Sequence, residues 1–259
     1  MNPIKSIKAR YENRIISEFK NTKYAKKLRQ FKSIHNGELC FIIGNGPSLI
    51  AEDLSLIAEK NITSFAFNRI YFMFDKTWWR PTYYASQDEK MLKNCTKEVN
   101  EMELQYKFIP LNLHYYYDIS IDNALYFKMA SSDTDSIHLS DDISEWVGNS
   151  NTVAITAMQL AAYMGFKKIY LIGVDHNFST YVNDKGEIVN DNTVKDYFTD
   201  EYNKDKAELY IPDIGKSTRD FIVAKKFCDE RGIEVYNATR GGNLEVFPRV
   251  DFDKVMVNF

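Results

Sequence analysis

A glycine-rich turn at residues 44–48 (GNGPS) separates an apolar run at 39–43 from a segment with helical spacing at 50–60. Short apolar runs bounded by turn residues are typical of buried strands, and apolar residues spaced by three and four are typical of helices. This order predicts a strand, a tight turn and a helix, which is the first repeating unit of an α/β fold.

The residues of this turn indicate a ligand site. Gly44 and Gly46 lack a Cβ, so the backbone can bend tightly and approach a ligand closely. Pro47 suits the first turn of a helix, and Ser48 adds a hydroxyl beside free N–H groups. The turn therefore predicts either an anion site for a phosphate or carboxylate, or a tight turn that binds nothing.

Two further strands, predicted at 62–67 and 82–85, are also followed by polar side chains. These side chains are Asn68, Arg69, Gln87 and Asp88. In a parallel sheet the carboxyl ends of the strands meet at one edge, so we expect these residues and the turn to share one pocket. Taken singly, each of them fits an ordinary capping or turn residue.

The second half of the chain repeats this arrangement. Polar residues at 149–152, among them Ser150, Asn151 and Thr152, precede a small-residue helix at 153–164 that ends at Gly165. They predict a second anion site at a helix start. The apolar strand at 169–174 ends in Asp175 and His176, which we expect either to perform acid/base chemistry or to have a structural role.

The segments between these motifs have less regular patterns. Residues 106–110 fit a strand, residues 114–117 fit either core or a lid, and an acidic loop contains Asp133, Asp135, Asp141 and Asp142. The polar stretch at about 177–215 predicts a lid, followed by a helix at 218–231 and a strand at 233–236. The sequence GKST at 215–218 is not a P-loop, because the required preceding glycine and buried strand are missing.

The whole pattern predicts an α/β fold with a Rossmann-like, mostly parallel sheet and helices on both faces. We expect a basic amphipathic helical arm at 1–36 and a nucleotide-binding and catalytic domain at 37–259. Three cysteines without metal-binding spacing, no spanning apolar run and no signal peptide predict a cytoplasmic protein with no metal site.

Charge is unevenly distributed along the chain. Residues 1–34 carry ten Lys and Arg against Glu12 and Glu18, a net charge of +8, whereas the whole chain carries −3. The remaining residues therefore carry −11, which argues against general nucleic-acid binding. The basic arm either lies peripherally on anionic lipid at the inner membrane face, or packs on the body or on a second subunit of a homo-oligomer.

Four segments carry a family resemblance: 41–49 (FIIGNGPSL), 67–71 (FNRIY), 165–176 (GFKKIYLIGVDH) and 236–239 (YNAT). They resemble the DUF115 family, which includes the 6-hydroxymethylpterin diphosphokinase MptE-like proteins and the Maf flagellin glycosyltransferases. More loosely, they are similar to the bacterial sialyltransferases of glycosyltransferase family 42. The resemblance covers about residues 38–250 and implies a sialyltransferase-like variant of the GT-A fold.

The sialyltransferase resemblance implies a CMP-sugar donor that is bound without a metal. It implies that Asn45 and Asn68 contact the nucleotide, that a residue among 150–152 contacts the donor sugar, and that Gln87 or Asp88 adds a contact. Tyr181 lies roughly where the family places a tyrosine that holds the donor phosphate. The family's catalytic histidine is missing from the turn at 212–217, so the base becomes Asp213 or His176.

The diphosphokinase resemblance implies instead ATP with Mg²⁺, held by Asp88 and Asp175. Our leading hypothesis is a glycosyltransferase of bacterial surface glycans, such as capsule or lipooligosaccharide. It uses a nucleotide-sugar donor, for example a CMP-nonulosonate, and a glycan or lipid-linked acceptor, with no required cofactor. The alternatives are a diphosphokinase of a pterin-like substrate and a nucleotide-binding protein without catalysis.

Overall fold

The computed structural model describes residues 3–130, 137–183, 185–203 and 209–259. Its strands are β1 Leu39–Ile43, β2 Ser64–Phe67, β3 Tyr83–Ala85, β4 Lys107–Pro110, β5 Ala124–Phe127, β6 Lys168–Ile172, β7 Thr180–Val182, β8 Ile188–Asn190 and β9 Glu234–Asn237. Its α-helices are α1 Pro3–Ser17, α2 Lys23–Arg29, α3 Ala51–Glu59, α4 Glu89–Glu101, α5 Leu111–Tyr117, α6 Val153–Met164, α7 Ile214–Asp229 and α8 Phe252–Met256. Short 3-10 helices cover Phe19–Asn21, Ile70–Met73 and Asp200–Asn203.

Seven strands form one parallel sheet in the order β5-β4-β3-β2-β1-β6-β9. Alternate residues of each strand enter opposite cores, because the side chains of a strand alternate between the two faces. Cys40 and Ile42 of β1 pack with α2, α6 and α7, whereas Phe41 and Ile43 pack with α3, α4 and α8. The predicted Rossmann-like α/β fold with helices on both faces is confirmed.

The order of the strands reverses at β1. From β1 the chain builds outward through β2, β3, β4 and β5, and it then returns to place β6 and β9 on the other side. Ligands of open α/β sheets bind in the crevice beyond the carboxyl ends of the strands at such a reversal. The residues that follow β1 and β6 therefore lie at the position in the fold most suited to a ligand.

Glycines let the carboxyl ends of β1 and β6 approach each other closely. Gly44 N–H donates to Ile172 O and Gly46 N–H donates to Gly173 O, each at 2.8 Å, so the pairing continues beyond both strands. A Cβ at Gly44 would overlap the carbonyl oxygen of Gly173. Gly173 itself has a left-handed φ of 64°. Gly44 and Gly46 are thus required for backbone packing, whereas their approach to a ligand remains a prediction.

Three local predictions differ from the structure. Helix α3 begins at Ala51, so residues 46–49 form a separate turn and not a helix start, with a hydrogen bond from Leu49 N–H to Gly46 O at 3.1 Å. Helix α7 begins at residue 214 because the Asp213 side chain caps it. The predicted lid contains the antiparallel pair β7 and β8, and strand β5 was missed. Asp133 and Asp135 lie outside the described residues.

A short break separates the two N-terminal helices. A 3-10 turn at Phe19–Asn21 and an N-cap at Thr22 separate α1 from α2. Phe19, Leu28 and Phe31 are buried in the same core as the sheet, so this part of the predicted arm packs on the body. The boundary at residue 36 remains a prediction. Within the described residues, no helix is long and apolar enough to cross a membrane.

The contact between Gly44 and Gly173 predicts a strong effect of Gly44→Ala. Its new methyl group would overlap backbone that cannot move without separating β1 from β6, and we expect a loss of about 3 kcal/mol or more in the free energy of unfolding. Gly37→Ala is the control, because Gly37 has a φ of 84° but open space where its methyl group would stand; its strain should cost roughly 1–2 kcal/mol. Urea unfolding measures both, and equal losses would contradict this account.

Candidate functional site

A cavity of about 1070 Å³ lies at the carboxyl ends of the strands, where their order reverses. Most of the predicted site residues line it together: Gly44, Asn45, Gly46, Asn68, Gln87, Asp88, Ser150, Asn151, Thr152, Asp175, His176 and Asp213. The expected convergence of strand ends on one pocket is therefore present. What these residues bind remains a prediction.

Four predicted contact residues are absent from the described lining of this cavity: Pro47, Ser48, Arg69 and Tyr181. Arg69 is buried and donates to Tyr202 O at 2.7 Å, so it supports the lid. Tyr181 pairs with Val189 in the β7–β8 hairpin. Pro47 and Ser48 lie in the turn before α3, where the Ser48 hydroxyl donates a hydrogen bond to Asp175. Whether Pro47, Ser48, Arg69 and Tyr181 contact a ligand remains a prediction.

The anion in the glycine turn is the chain's own carboxylate. Ser48 Oγ donates to Asp175 Oδ2 at 2.7 Å, and a Cβ at Gly46 would overlap the same carboxylate. Burial, the larger influence, raises the pKa of Asp175 above its ordinary 3.8, and hydrogen bonds from the Ser48 side chain and backbone oppose this rise. The predicted phosphate site at 44–48 is thus filled by Asp175, which joins the β1 and β6 ends.

Asn45 connects the glycine turn to the lid. Its side-chain Nδ2 donates to Phe67 O at 3.1 Å and to the Tyr202 hydroxyl at 3.3 Å. Its backbone carbonyl oxygen accepts from Phe198 N–H at 3.1 Å. The Tyr202 ring stacks on Tyr197 with centroids 3.8 Å apart. Burial raises the pKa of the Tyr202 phenol, so the hydroxyl stays protonated at neutral pH.

The side-chain oxygen of Asn45 is a buried acceptor without a donor. Asn45 is only 8% exposed, and its Oδ1 makes no hydrogen bond within the described part of the chain. Rotating the amide by 180° would place that oxygen against the carbonyl of Phe67, so Phe67 fixes its orientation. A buried acceptor left unsatisfied costs about 1–3 kcal/mol. Because the oxygen itself is inaccessible in this structure, a ligand donor would recover this energy only after a neighbouring side chain moves.

The next polar residues along the edge are already held by the protein. Asn68 has a left-handed φ of 49°, and its Oδ1 accepts from Ser86 Oγ at 2.7 Å. Gln87 donates to Ser150 O at 2.7 Å and accepts from the Thr156 hydroxyl. These bonds orient the amides and tie the end of β3 to the start of α6.

Three helices begin at the cavity with side-chain caps. Asp88 accepts from Met91 N–H at 3.0 Å, Thr152 from Ala154 N–H at 3.4 Å, and Asp213 from Lys216 N–H at 2.8 Å. Each cap satisfies part of the exposed N–H groups of α4, α6 or α7. Burial, the largest influence, raises the pKa of Asp88. Asp88 and Asp213 therefore have structural partners in addition to any ligand.

Residue 151 is also anchored before α6 begins. Its backbone N–H and its Nδ2 both donate to Asp220 Oδ2 at 2.8 Å, whereas Ser150 Oγ donates to Thr152 O at 2.9 Å. The loop at 149–152 is therefore rigidly connected to α7 and to the cap of α6.

His176 is held in one tautomer. The Thr218 hydroxyl lies 2.8 Å from Ile214 O and 2.8 Å from His176 Nε2; with its proton assigned to Ile214 O, it accepts from Nε2–H. The lone pair of the neutral ring then belongs to Nδ1. Burial lowers the pKa of His176 below its ordinary 6.5, so the ring is neutral at pH 7. A neutral histidine that lines a cavity has the protonation state of a general base.

The described lining of the cavity carries more acidic than basic groups. Its carboxyl side chains are Asp88, Glu89, Asp175, Asp196 and Asp213, and its Lys or Arg is Lys216. Lys216 Nζ lies 3.6 Å from Asp213. Within the described residues, no group of three or more His, Cys, Asp or Glu is arranged to hold a metal ion. Anions therefore depend on Lys216 and on the positive ends of the helices.

Sequence reasoning missed several residues that line the cavity. The cavity is also lined by Tyr116, Tyr117, Tyr197, Tyr202 and Lys216. The sequence predicts the first two only as core or lid and the next two only as part of a general lid. It gives Lys216 only within the rejected P-loop. The structure accounts for the position of Tyr116 and Tyr117, because α5 buries its first residues and exposes its last two. Nothing in the sequence paired Tyr202 with Asn45, which is 157 residues away.

A parallel sheet with its cavity at the reversal of strand order defines a doubly wound α/β protein. The chain belongs to the 6-hydroxymethylpterin diphosphokinase MptE-like family, whose family model matches residues 14–181. The predicted family is thus confirmed. No curated protein matches the chain. A solved Maf glycosyltransferase from Magnetospirillum magneticum AMB-1 is 12% identical, with a TM-score of 0.49, over 89% of this chain and 38% of that one.

The bond between Ser48 and Asp175 predicts that Ser48→Ala raises the pKa of Asp175 further. Loss of a hydrogen bond to a charged group costs about 1.5–3 kcal/mol, and we expect an upward shift of roughly one pH unit. Carboxyl-carbon NMR titration measures the shift. Ser55→Ala is the control, because Ser55 bonds only neutral oxygens of Ala51 and Thr77. An unchanged Asp175 titration in Ser48→Ala would contradict the assignment.

Proposed function

We propose that this protein is a transferase that binds a nucleotide-activated sugar in the cavity at the end of β1 and β6. The observation that carries the proposal is that amide and carboxyl side chains from the ends of β1, β2, β3 and β6 line one cavity, beside the unsatisfied acceptor Asn45 Oδ1. The volume of about 1070 Å³ lies at the upper end for ligand pockets, so donor and acceptor groups fit together.

The donor phosphate has two supports in this cavity. The first turn of α6, at Val153 and Ala154, lines the cavity, and the N-terminus of a helix carries a partial positive charge that favours phosphate. Lys216 supplies a full charge beside Asp213. Both supports stabilise the negative charge that grows on the leaving phosphate. In this proposal the nucleotide is a cytidine monophosphate, the sugar is a nonulosonate, and no metal is required.

His176 is the proposed general base. An acceptor hydroxyl attacks the anomeric carbon, the new glycosidic C–O bond forms, and the C–O bond to the donor phosphate breaks with its electron pair on the leaving nucleotide. The hydroxyl proton passes to His176 Nδ1, while Nε2–H remains bonded to Thr218. Asp175 and Asp213 are weaker candidates because Ser48 and the α7 backbone already bind their carboxylates.

A diphosphokinase is the second candidate, and the acidic lining favours it. The described lining contains five carboxyl groups and one lysine. Because these carboxylates repel a bare triphosphate, the cavity suits a nucleotide whose charge is partly neutralised by Mg²⁺. The site fits this ion in part, because Mg²⁺ usually takes one or two carboxylates and completes its shell with phosphates and water. Asp88 and Asp175 would hold it, and it would neutralise phosphate charge. The family to which the chain belongs also favours this candidate.

Ligand-dependent melting distinguishes the two candidates. CMP, CDP, UDP and ATP are each added with Mg²⁺ or with EDTA, and the melting temperature is recorded. Stabilisation by CMP in EDTA supports the sugar-nucleotide transferase, whereas stabilisation by ATP only with Mg²⁺ supports the diphosphokinase. No response to any nucleotide refutes both.

Asn45→Ala and Asn68→Ala should each abolish nucleotide stabilisation. Asn45→Ala removes the side-chain oxygen proposed to accept a hydrogen bond from the nucleotide base. Asn68→Ala removes an amide at the end of β2 that lines the same cavity. Asn100→Ala is the matched control, because Asn100 bonds Ser120 O and Asp122 N–H away from the cavity. Its nucleotide response should equal that of the unmodified protein. Retained binding in both cavity variants would refute the site.

The pH dependence of turnover tests His176. Because burial lowers its pKa, the base is deprotonated above pH 6.5, and activity should fall as pH decreases through a midpoint below 6.5. His176→Gln should lower kcat by about 10²- to 10⁴-fold and remove this acid limb. The assay is nucleotide release from the sugar nucleotide that stabilises the protein best. An unchanged acid limb in His176→Gln would assign the base elsewhere.

A further inference from the structure

Helix α1 presents apolar and basic side chains together on its outer face, which we define as Ile7, Arg10, Tyr11 and Arg14. Spacings of three and four place these residues on one side of the helix. Ile7 is 67% and Tyr11 is 64% exposed, and both arginines are exposed. The opposite side, at Glu12, Ile16 and the following Phe19, is buried. The apolar residues of the outer face therefore have no role in the core.

The surface around this outer face is strongly basic. All nine Lys and Arg between residues 7 and 34 are exposed: Lys8, Arg10, Arg14, Lys20, Lys23, Lys26, Lys27, Arg29 and Lys32. The acidic residues of the same stretch are Glu12 and Glu18, so the stretch carries a net charge of +7. Glu12 is buried. Because the whole chain carries −3, this region is the part of the described protein that attracts an anionic surface.

The same helix contacts the C-terminal end of α5, which lines the cavity. The Tyr116 hydroxyl donates to Asn13 Oδ1 at 3.0 Å, and Lys8 Nζ lies 3.2 Å from Asp118. Tyr116 and Tyr117 line the cavity and are still 48% and 43% exposed, so they lie at its mouth. Helix α5 therefore connects the mouth of the cavity directly to the basic surface.

We propose that the outer face of α1, with the cations of α1 and α2, docks on an anionic lipid bilayer and places the mouth of the cavity beside the membrane. An aliphatic side chain next to a tyrosine, surrounded by cations, matches the boundary between head groups and acyl chains. A nucleic acid would satisfy the cations but would leave Ile7 in water. Resting on the proposed function, this placement assigns the acceptor to the class of lipid-linked glycans.

The test is co-sedimentation of the full chain with vesicles. Vesicles of phosphatidylcholine alone are compared with vesicles that also contain phosphatidylglycerol, at low and high salt. We expect binding only to the anionic vesicles and a loss of roughly tenfold or more in affinity at high salt, because salt screens the attraction. Equal binding to neutral vesicles, or no binding to either, overturns the proposal.

Two variants test the outer face itself. Arg10→Glu with Arg14→Glu removes charge, and Ile7→Ser with Tyr11→Ser removes the apolar contacts; each should weaken vesicle binding roughly tenfold. Lys97→Glu with Lys226→Glu is the control, since these lysines are 83% and 78% exposed on α4 and α7. Circular dichroism establishes folding of each variant. Equal loss in the control pair overturns the assignment of the face.

Two further measurements keep the outcomes separate. A single-stranded oligonucleotide that binds the protein more tightly than the anionic vesicles, and that the arginine variant fails to bind, identifies nucleic acid as the partner and overturns the proposal. Nucleotide-dependent melting of the outer-face variants should be unchanged. Vesicle binding that persists without any nucleotide response supports docking while refuting the proposed transferase, so the two proposals fail independently.

Discussion

The close approach of β1 and β6 is the constraint on which the rest of the structure depends. Both strand ends carry glycine at the contact, and two backbone hydrogen bonds extend the pairing past the last regular residues. This approach places Asp175 within reach of Ser48 and brings its buried carboxylate into the turn after β1. The cavity forms immediately beyond this junction, because the strand order reverses there. The same glycines that give the motif its sequence signature therefore also line the cavity.

The charge of the cavity follows from how parallel strands are connected. Helices α4, α6 and α7 all begin at the carboxyl edge, where their N-cap residues Asp88, Thr152 and Asp213 line the cavity. Asp88 and Asp213 cap two of these ends, and part of the apparent acidic excess is thus offset by helix dipoles. Thr152 caps α6 with a neutral side chain, so the positive end of that helix is the least neutralised of the three. A phosphate in this cavity is therefore best stabilised beside α6 and Lys216.

Much of the fold was predictable because its signals are local. The apolar runs of β1 and β6, the small residues of α6 and its C-terminal Gly165 with a φ of 95° all act over a few residues. The rest depends on contacts between distant parts of the chain. Strand β5 is four residues long and half-buried, which leaves too weak a pattern, and the turn at 44–48 looked like an anion site because nothing local reveals that Asp175 fills it. The positions of the site residues followed from topology, whereas their hydrogen-bond partners required the structure.

The state of Asn45 indicates why this cavity is suited to a ligand and not merely left over between packed elements. Four of its neighbours define its position: Phe67, Tyr202, Phe198 and the glycine turn that contains it. Both donor hydrogens of the amide have acceptors, and the backbone carbonyl has a donor, yet the side-chain oxygen has none among the described residues. A protein interior normally removes such an acceptor or supplies a donor, since leaving it unsatisfied costs about 1–3 kcal/mol. An amide that is held so firmly beside the cavity, with one acceptor unsatisfied, is preorganised: the protein has already met the cost of orienting it, and a ligand donor that reaches the oxygen after a small movement of its neighbours gains the interaction.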